Sequence, residues 1–118
     1  MQPARSIIVV DDDEGVRDAT SALLTLLGHN VEVARDIPQT TDLLRIQSPD
    51  ILICDYMLGS QTATDLTSVR EFRDVHIRVL HTAHEAESLT KGTAEQFTAV
   101  VAKIDGVAAL LDAIDDDR

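Results

Sequence analysis

Two short apolar runs, each ending in acid, constrain this chain more than any other feature. Ser6-Ile7-Ile8-Val9-Val10 runs into Asp11, Asp12 and Asp13, and Asp50-Ile51-Leu52-Ile53-Cys54 runs into Asp55. Continuous aliphatic runs of this length suit strands buried on both faces, which belong to parallel sheets covered by helices. If the two strands are neighbours in such a sheet, their carboxyl ends bring Asp11, Asp12 and Asp55 into one pocket. Ionised carboxylates crowded in this way repel by about 4 kcal/mol per pair at ~4 Å and an effective dielectric of ~20. A divalent cation is the simplest relief.

From Ser6 onward, short β-branched runs alternate with longer amphipathic segments, which predicts an α/β fold of five strand–helix units. In the first helix Val16, Ala19, Leu23, Leu26 and Leu27 form the packing stripe, with Asp13 as N-cap and Gly28 as stop. Val31 to Ala34 makes the second strand. Asp36 caps a second helix that has Pro38 in its first turn, buries Leu43 and Leu44, and ends at Ser48-Pro49. Beyond Asp55, Tyr56 to Ser60 reads as a loop, and a helix is expected over Ala63 to Phe72, presenting Leu66, Val69 and Phe72. Ile77 to His81 is the fourth strand, ending at Thr82-Ala83, and Ala99 to Ala102 is the fifth, ending at Lys103. Between them the pattern predicts a short helix over Glu85 to Lys91, a break at Gly92, and a turn or second helical piece over Ala94 to Phe97. Asp105 caps the last helix, whose stripe is Val107, Leu110, Leu111 and Ile114.

A chain of 118 residues with 44% hydrophobic residues can bury one core without metal or disulfide help. The expectation is a single domain over residues 1–118, with a folded core over 5–115 and an acidic tail at 116–118. A net charge of −11 argues against direct nucleic-acid binding, which needs a basic surface. No stretch approaches the roughly 20 apolar residues that cross a bilayer, and the apolar run after Arg5 is too short for a signal peptide. A soluble cytoplasmic chain without membrane contact is expected. Cys54, the sole cysteine, has no disulfide partner within the chain and reads as a small core residue.

In an open α/β sheet, ligands bind beyond the carboxyl ends of the strands, so Asp11, Asp12, Asp55, Thr82 and Lys103 should converge there. Oxygen ligands without histidine or cysteine suit Mg²⁺, which takes one or two carboxylates, waters and a phosphate oxygen. Lys103 would hold phosphate oxygens, Thr82 would donate a hydroxyl, and Asp55 could attack phosphorus to give an acyl phosphate. Each residue also has a plainer reading: the Asp11 to Glu14 run as a helix cap and solvated turn, Lys103 as a surface lysine, Thr82 as a strand hydroxyl. Their shared strand-end position favours the functional one. His29 and His76 read as loop residues. His81 and His84 flank the threonine without the further soft ligands a zinc site needs. Tyr56 reads as a rim residue, and Arg70 and Arg73 as solvated.

These residues together resemble the response-regulator receiver domain of two-component signalling. The matching pieces are Ile8-Val9-Val10-Asp11-Asp12-Asp13, Asp50 to Asp55, His81-Thr82-Ala83 and Val100-Val101-Ala102-Lys103. The resemblance implies a flavodoxin-like, doubly wound, five-stranded parallel sheet of order 2-1-3-4-5 with five helices. It implies that Asp55 is the phosphoacceptor, that Asp11, Asp12, Asp55 and the carbonyl of Met57 hold Mg²⁺, and that Thr82, Ala83 and Lys103 bind the phosphoryl group. It further implies a sensor histidine kinase or phosphotransfer protein as donor and a downstream protein bound through the face of the fourth helix, fifth strand and fifth helix. Chemistry would be confined to self-phosphorylation and autodephosphorylation.

Several positions depart from the family pattern. Ile104 follows the lysine where receivers usually have proline. Val100 stands three residues before the lysine, where receivers commonly carry Tyr or Phe. Met57 to Thr64 replaces the usual proline and glycine turn, which predicts a rearranged connection after the third strand. His84 occupies a place that in this family influences access of the hydrolytic water. Two other functions compete: a degenerate receiver serving as a non-switching scaffold, and a Mg²⁺-dependent aspartyl-phosphate hydrolase with Asp11 as nucleophile and Asp13 as general acid. The chain could stand alone or be a piece of a longer regulator or hybrid kinase.

Overall fold

The computed structural model describes residues 4–83 and 91–115. The chain runs β1 (Ser6–Val10), α1 (Glu14–Leu26), β2 (Asn30–Ala34), α2 (Ile37–Ile46), β3 (Ile51–Cys54), β4 (Met57–Leu58), β5 (Gln61–Thr62), α3 (Arg70–Arg73), β6 (Ile77–Thr82), α4 (Lys91–Glu95), β7 (Ala99–Ala102) and α5 (Gly106–Ile114). Two 3-10 turns, Ala63–Leu66 and Lys103–Asp105, lie between β5 and α3 and between β7 and α5. The main sheet is parallel, of order β2-β1-β3-β6-β7. Counted along the five long strands this is the expected 2-1-3-4-5, and β4 and β5 form a separate antiparallel hairpin.

The central strands β1, β3 and β6 are buried on both faces, whereas the edge strands β2 and β7 are partly exposed, and the two-residue period of a strand sends alternate side chains to opposite layers. Ile7, Val9, Ile51, Ile53, Ile77, Val79 and Val101 pack with Leu24 of α1 and Leu110 and Ile114 of α5. Ile8, Val10, Leu52, Cys54 and Leu80 pack with Leu44 of α2, Phe72 of α3 and Phe97. Cys54 is fully buried, and its thiol is held in the neutral form by burial and then by the nearby charges of Asp55 and Asp11. Among the described residues no helix is long and apolar enough to cross a membrane.

Asp13 and Asp36 sit at the N-caps of α1 and α2, accepting hydrogen bonds from the amides of Val16 and Gln39. Gly28 follows α1 at φ +99, a conformation that favours glycine. The α1 stripe is rotated from the expected one: Leu24 is buried, whereas Leu26 and Leu27 face solvent at 84% and 49% exposure. Val107 is likewise exposed, while Leu110 and Ile114 are buried.

The helix expected over Ala63 to Phe72 is instead a 3-10 turn and a separate four-residue helix. Local hydroxyls compete for its backbone: Thr62 accepts from the Thr64 amide, Thr67 donates to the Thr64 carbonyl, and Ser68 donates to that of Asp65. Leu66 and Phe72 are buried regardless. Gly92 is not a break, because α4 runs through it, and Ala94 to Phe97 closes as a turn with Phe97 N donating to Ala94 O. Asp105 precedes α5 but makes no side-chain cap bond. The helix expected over Glu85 to Lys91 falls largely outside the described residues, as do His84 and the tail at 116–118.

Candidate functional site

The register Val10↔Cys54 between β1 and β3 places the residues that follow them, Asp11 and Asp55, side by side. Backbone bonds extend both strands past their ends: Asp11 N donates to Ala34 O and Asp55 N to Val10 O. β1 is where the strand order reverses, the topological position at which sheets of this kind open a crevice. Asp11 and Asp55 are buried, at 3% and 8% exposure, and Asp12 is exposed. One carboxylate oxygen from each of Asp11, Asp12 and Asp55 lies within 4.8 Å of the others.

Lys103 reaches this cluster from the end of β7, across β6. Its Nζ lies 2.8 Å from Asp11 Oδ2 and 3.2 Å from Asp55 Oδ2. Backbone amides orient the remaining oxygens: Asp13 N donates to Asp11 Oδ1, Tyr56 N to Asp55 Oδ1, and Gly59 N to Asp12 Oδ2. Arg17, one turn into α1, donates to the carbonyl of Asp11 at 3.0 Å. Sequence reasoning missed Arg17 and Gly59. Only the Gly59-Ser60 pair carried a signal, that of a two-residue hairpin turn, and Gly59 indeed has φ +68.

Three carboxylates against one ammonium leave an excess of negative charge, and the titrations follow it. Burial, and then the charge of Asp11, pushes the Asp55 carboxyl above its ordinary range, while Lys103 and the Tyr56 amide hold it back. Burial pulls the Lys103 ammonium down, but its bond to Asp11 and the charges of Asp55 and Asp11 outweigh that, so it binds its proton more tightly than usual. His81 is held below its ordinary range by burial and by the Lys103 charge. All-oxygen donors with uncompensated negative charge and an exposed side at Asp12 fit a hard divalent cation.

Thr82 is fully buried at the end of β6, and Ala83 beyond it is exposed. β6 lies between β3 and β7, so Thr82 ends on the edge that carries Asp55 and Lys103. Val100 is 40% exposed on β7, and Ile104 is 93% exposed on the 3-10 turn after it. Met57 is exposed in β4.

The family model of the response regulator receiver domain matches residues 7–115. The chain belongs to this family. Response regulator MprA of Mycobacterium avium (strain 104) is 35% identical to this receiver over 86 residues, which are 70% of the receiver and 36% of MprA. The chain therefore spans little more than a third of the curated relatives it matches. A LuxR-family two-component response regulator from Aurantimonas sp. SI85-9A1 superposes with a TM-score of 0.83 at 24% identity, over 96% of this receiver and 84% of that chain. The response regulator TrrA from Thermotoga maritima, solved in complex with Mg²⁺-BeF, superposes with a TM-score of 0.81 at 17% identity, over 92% and 95%. These two likenesses bear on the fold.

Proposed function

We propose that this receiver is a phosphorylation-dependent switch in which Asp55 accepts a phosphoryl group from the phosphohistidine of a sensor kinase or phosphotransfer protein. The observation that carries the reading is the convergence of Asp11, Asp12 and Asp55 with Lys103 bridging two of them. In the reaction a bond forms between an Asp55 oxygen and phosphorus as the P–N bond to the donor imidazole breaks, its electrons leaving on nitrogen. Hydrolysis of the acyl phosphate returns the carboxylate and inorganic phosphate.

Asp11, Asp12, Asp55 and the Met57 carbonyl would hold Mg²⁺, which when bound supplies charge neutralisation for the transferring group. Met57 pairs with Thr62 one step beyond the pair that flanks the turn, where an antiparallel ladder leaves the carbonyl pointing outward. Lys103 exchanges part of its contact with Asp55 for phosphoryl oxygens, and Thr82 and the backbone at Ala83 donate to them. His84, Val100 and Ile104 modulate lifetime and output. The downstream protein is read through α4, β7 and α5, and the kinase supplies the input; both are protein partners in the cytoplasm.

The hydrolase alternative needs Asp13 as general acid, yet its carboxylate is taken up as the N-cap of α1, 3.1 Å from Val16 N. Incubation with Mg²⁺ and acetyl phosphate, read by intact mass, should add one phosphoryl group to the wild type and none to Asp55→Asn. A wild type that takes up no label sinks the switch and leaves the scaffold reading. Label that survives Asp55→Asn but not Asp11→Asn restores the hydrolase.

A further inference from the structure

The acidic pocket and α4 are joined through the β4–β5 hairpin by a continuous run of bonded groups. At the pocket end, Gly59 N donates to Asp12 Oδ2 at 3.0 Å. The base of the hairpin is closed next to Asp55, where Ala63 N donates to Tyr56 O at 2.8 Å. Thr62 accepts the amide of Thr64, and the Thr64 hydroxyl meets that of Thr93 in α4 at 2.6 Å. Leu58, Ala63 and Leu66 are buried in one cluster with Phe72 and Phe97, so the hairpin and the segment after α4 share a packed core. Thr93 is itself buried at 2% exposure.

We propose that this hairpin couples cation occupancy of the acidic pocket to the anchoring of α4, with Thr93 as the positioning residue that receives the effect. The proposal rests on the metal-site reading of Asp11, Asp12 and Asp55. A cation shared by the three carboxylates restrains Asp12, and the Gly59 amide bonded to Asp12 is restrained with it. The closed base at Tyr56 and Ala63 passes that restraint to Thr64 rather than dissipating it in a loose loop. Thr93 lies in the described part of α4, buried at 2% exposure, so the Thr64–Thr93 contact ties that helix to the end of the hairpin. Two sites biased by one element are coupled reciprocally, and loss of the Thr93 hydroxyl should therefore weaken cation binding about fivefold.

The test is amide hydrogen exchange of the full chain with and without Mg²⁺, no phosphodonor present, in wild type, Thr93→Val and Thr64→Val. Thr93→Val keeps the shape of the buried side chain and leaves the hydroxyl of the exposed Thr64 free to reach water. Thr64→Val removes the other half of the bond and carries the comparison should Thr93→Val fold poorly. In the wild type, Mg²⁺ should slow exchange in residues 57–64 and in residues 91–97. In either variant the hairpin should still respond, the response of 91–97 should vanish, and the Mg²⁺ titration midpoint should rise about fivefold. A hairpin that responds while 91–97 stays indifferent in the wild type, or a response of 91–97 that survives both substitutions, overturns the coupling alone. No response to Mg²⁺ anywhere overturns the coupling and the metal-site reading together.

Discussion

α1 and α2 span 13 and 10 residues, and each begins on an aspartate whose side chain accepts a backbone amide. α3 spans four residues and begins on Val69 with no side-chain cap bond, and the described part of α4 is five residues. The first half of the molecule, β1 to α2, is thus built from segments with strong local signals. The described segments of the second half, from Asp55 to β7, are short and are tied to one another by side-chain contacts. Arg78 is the clearest of these. Its guanidinium donates to the carbonyls of Gln96, Arg73 and Val75 and lies 5.3 Å from the centre of the Phe72 ring, which packs edge-on against Phe97. One side chain thereby ties the end of α3 to the link between α4 and β7.

The sharpest way to break this contrast is Arg78→Met, which keeps apolar contact with Phe72 but leaves three carbonyls without their donor. Charge-assisted bonds of this sort are worth about 2 kcal/mol or more in sum, so a loss of roughly that size is expected in denaturant unfolding. Exchange protection should fall first over residues 70–80 and 91–97. If α1 and α2 lose protection equally at the same denaturant concentration, the halves are not separately held and the contrast fails.

The same contrast explains what could be read from the sequence. Five strands and the meeting of Asp11, Asp12, Asp55 and Lys103 at one edge were legible, because the central parallel strands are apolar runs and their ends are marked by acid, threonine and lysine, while the strand order followed from the resemblance to the receiver family. The path from Met57 to Phe72 was legible only in part. Its apolar positions Leu66, Val69 and Phe72 keep helical spacing, but Thr62, Thr64, Thr67 and Ser68 hydroxyls capture the backbone in turns, and periodicity alone does not weigh that competition. In α1 the stripe was misphased because Leu23, Leu24, Leu26 and Leu27 offer two apolar faces, and only packing against Ile7 and Val9 selects Leu24. The Arg17 bond to the Asp11 carbonyl left no trace in the pattern.

The pocket straddles the two halves, Asp11 closing β1 and Asp55 opening the second half, and its charge imbalance offers a second test. The folded-state titration of Asp55 lies above the ordinary value of 3.8. A carboxyl raised in this way adds stability that is fully present below 3.8 and lost as pH rises through the folded value, so at neutral pH the ionised group costs stability. Metal-free Asp55→Asn should therefore melt above the wild type at pH 7, with the gap closing as pH falls towards 4. Melting curves of both proteins in chelator across that range check the sign. A gap that widens towards acid would mean that Lys103 holds the Asp55 charge more strongly than burial and Asp11 oppose it.

The smallest effects test the local signals themselves. Asp36 accepts the Gln39 amide at 2.9 Å while the Gln39 side chain accepts the Arg35 amide at 2.9 Å, so the start of α2 is satisfied from both directions. Asp36→Ala should cost about 1 kcal/mol. Asp105 holds the same position before α5 in sequence, but the preceding 3-10 turn gives it helical backbone angles, φ −77 and ψ −5, from which its carboxylate makes no cap bond. The chain turns into α5 through Gly106 at φ +83 instead. Asp105→Ala should lose only a charge near a helix start, about 0.5 kcal/mol or less. Urea melts of the two variants should give unfolding free energies that differ by about 0.5 kcal/mol or more. Equal losses would show that a cap's worth follows from its place in the sequence, whereas the structure ties it to the backbone angle that lets the side chain fold back.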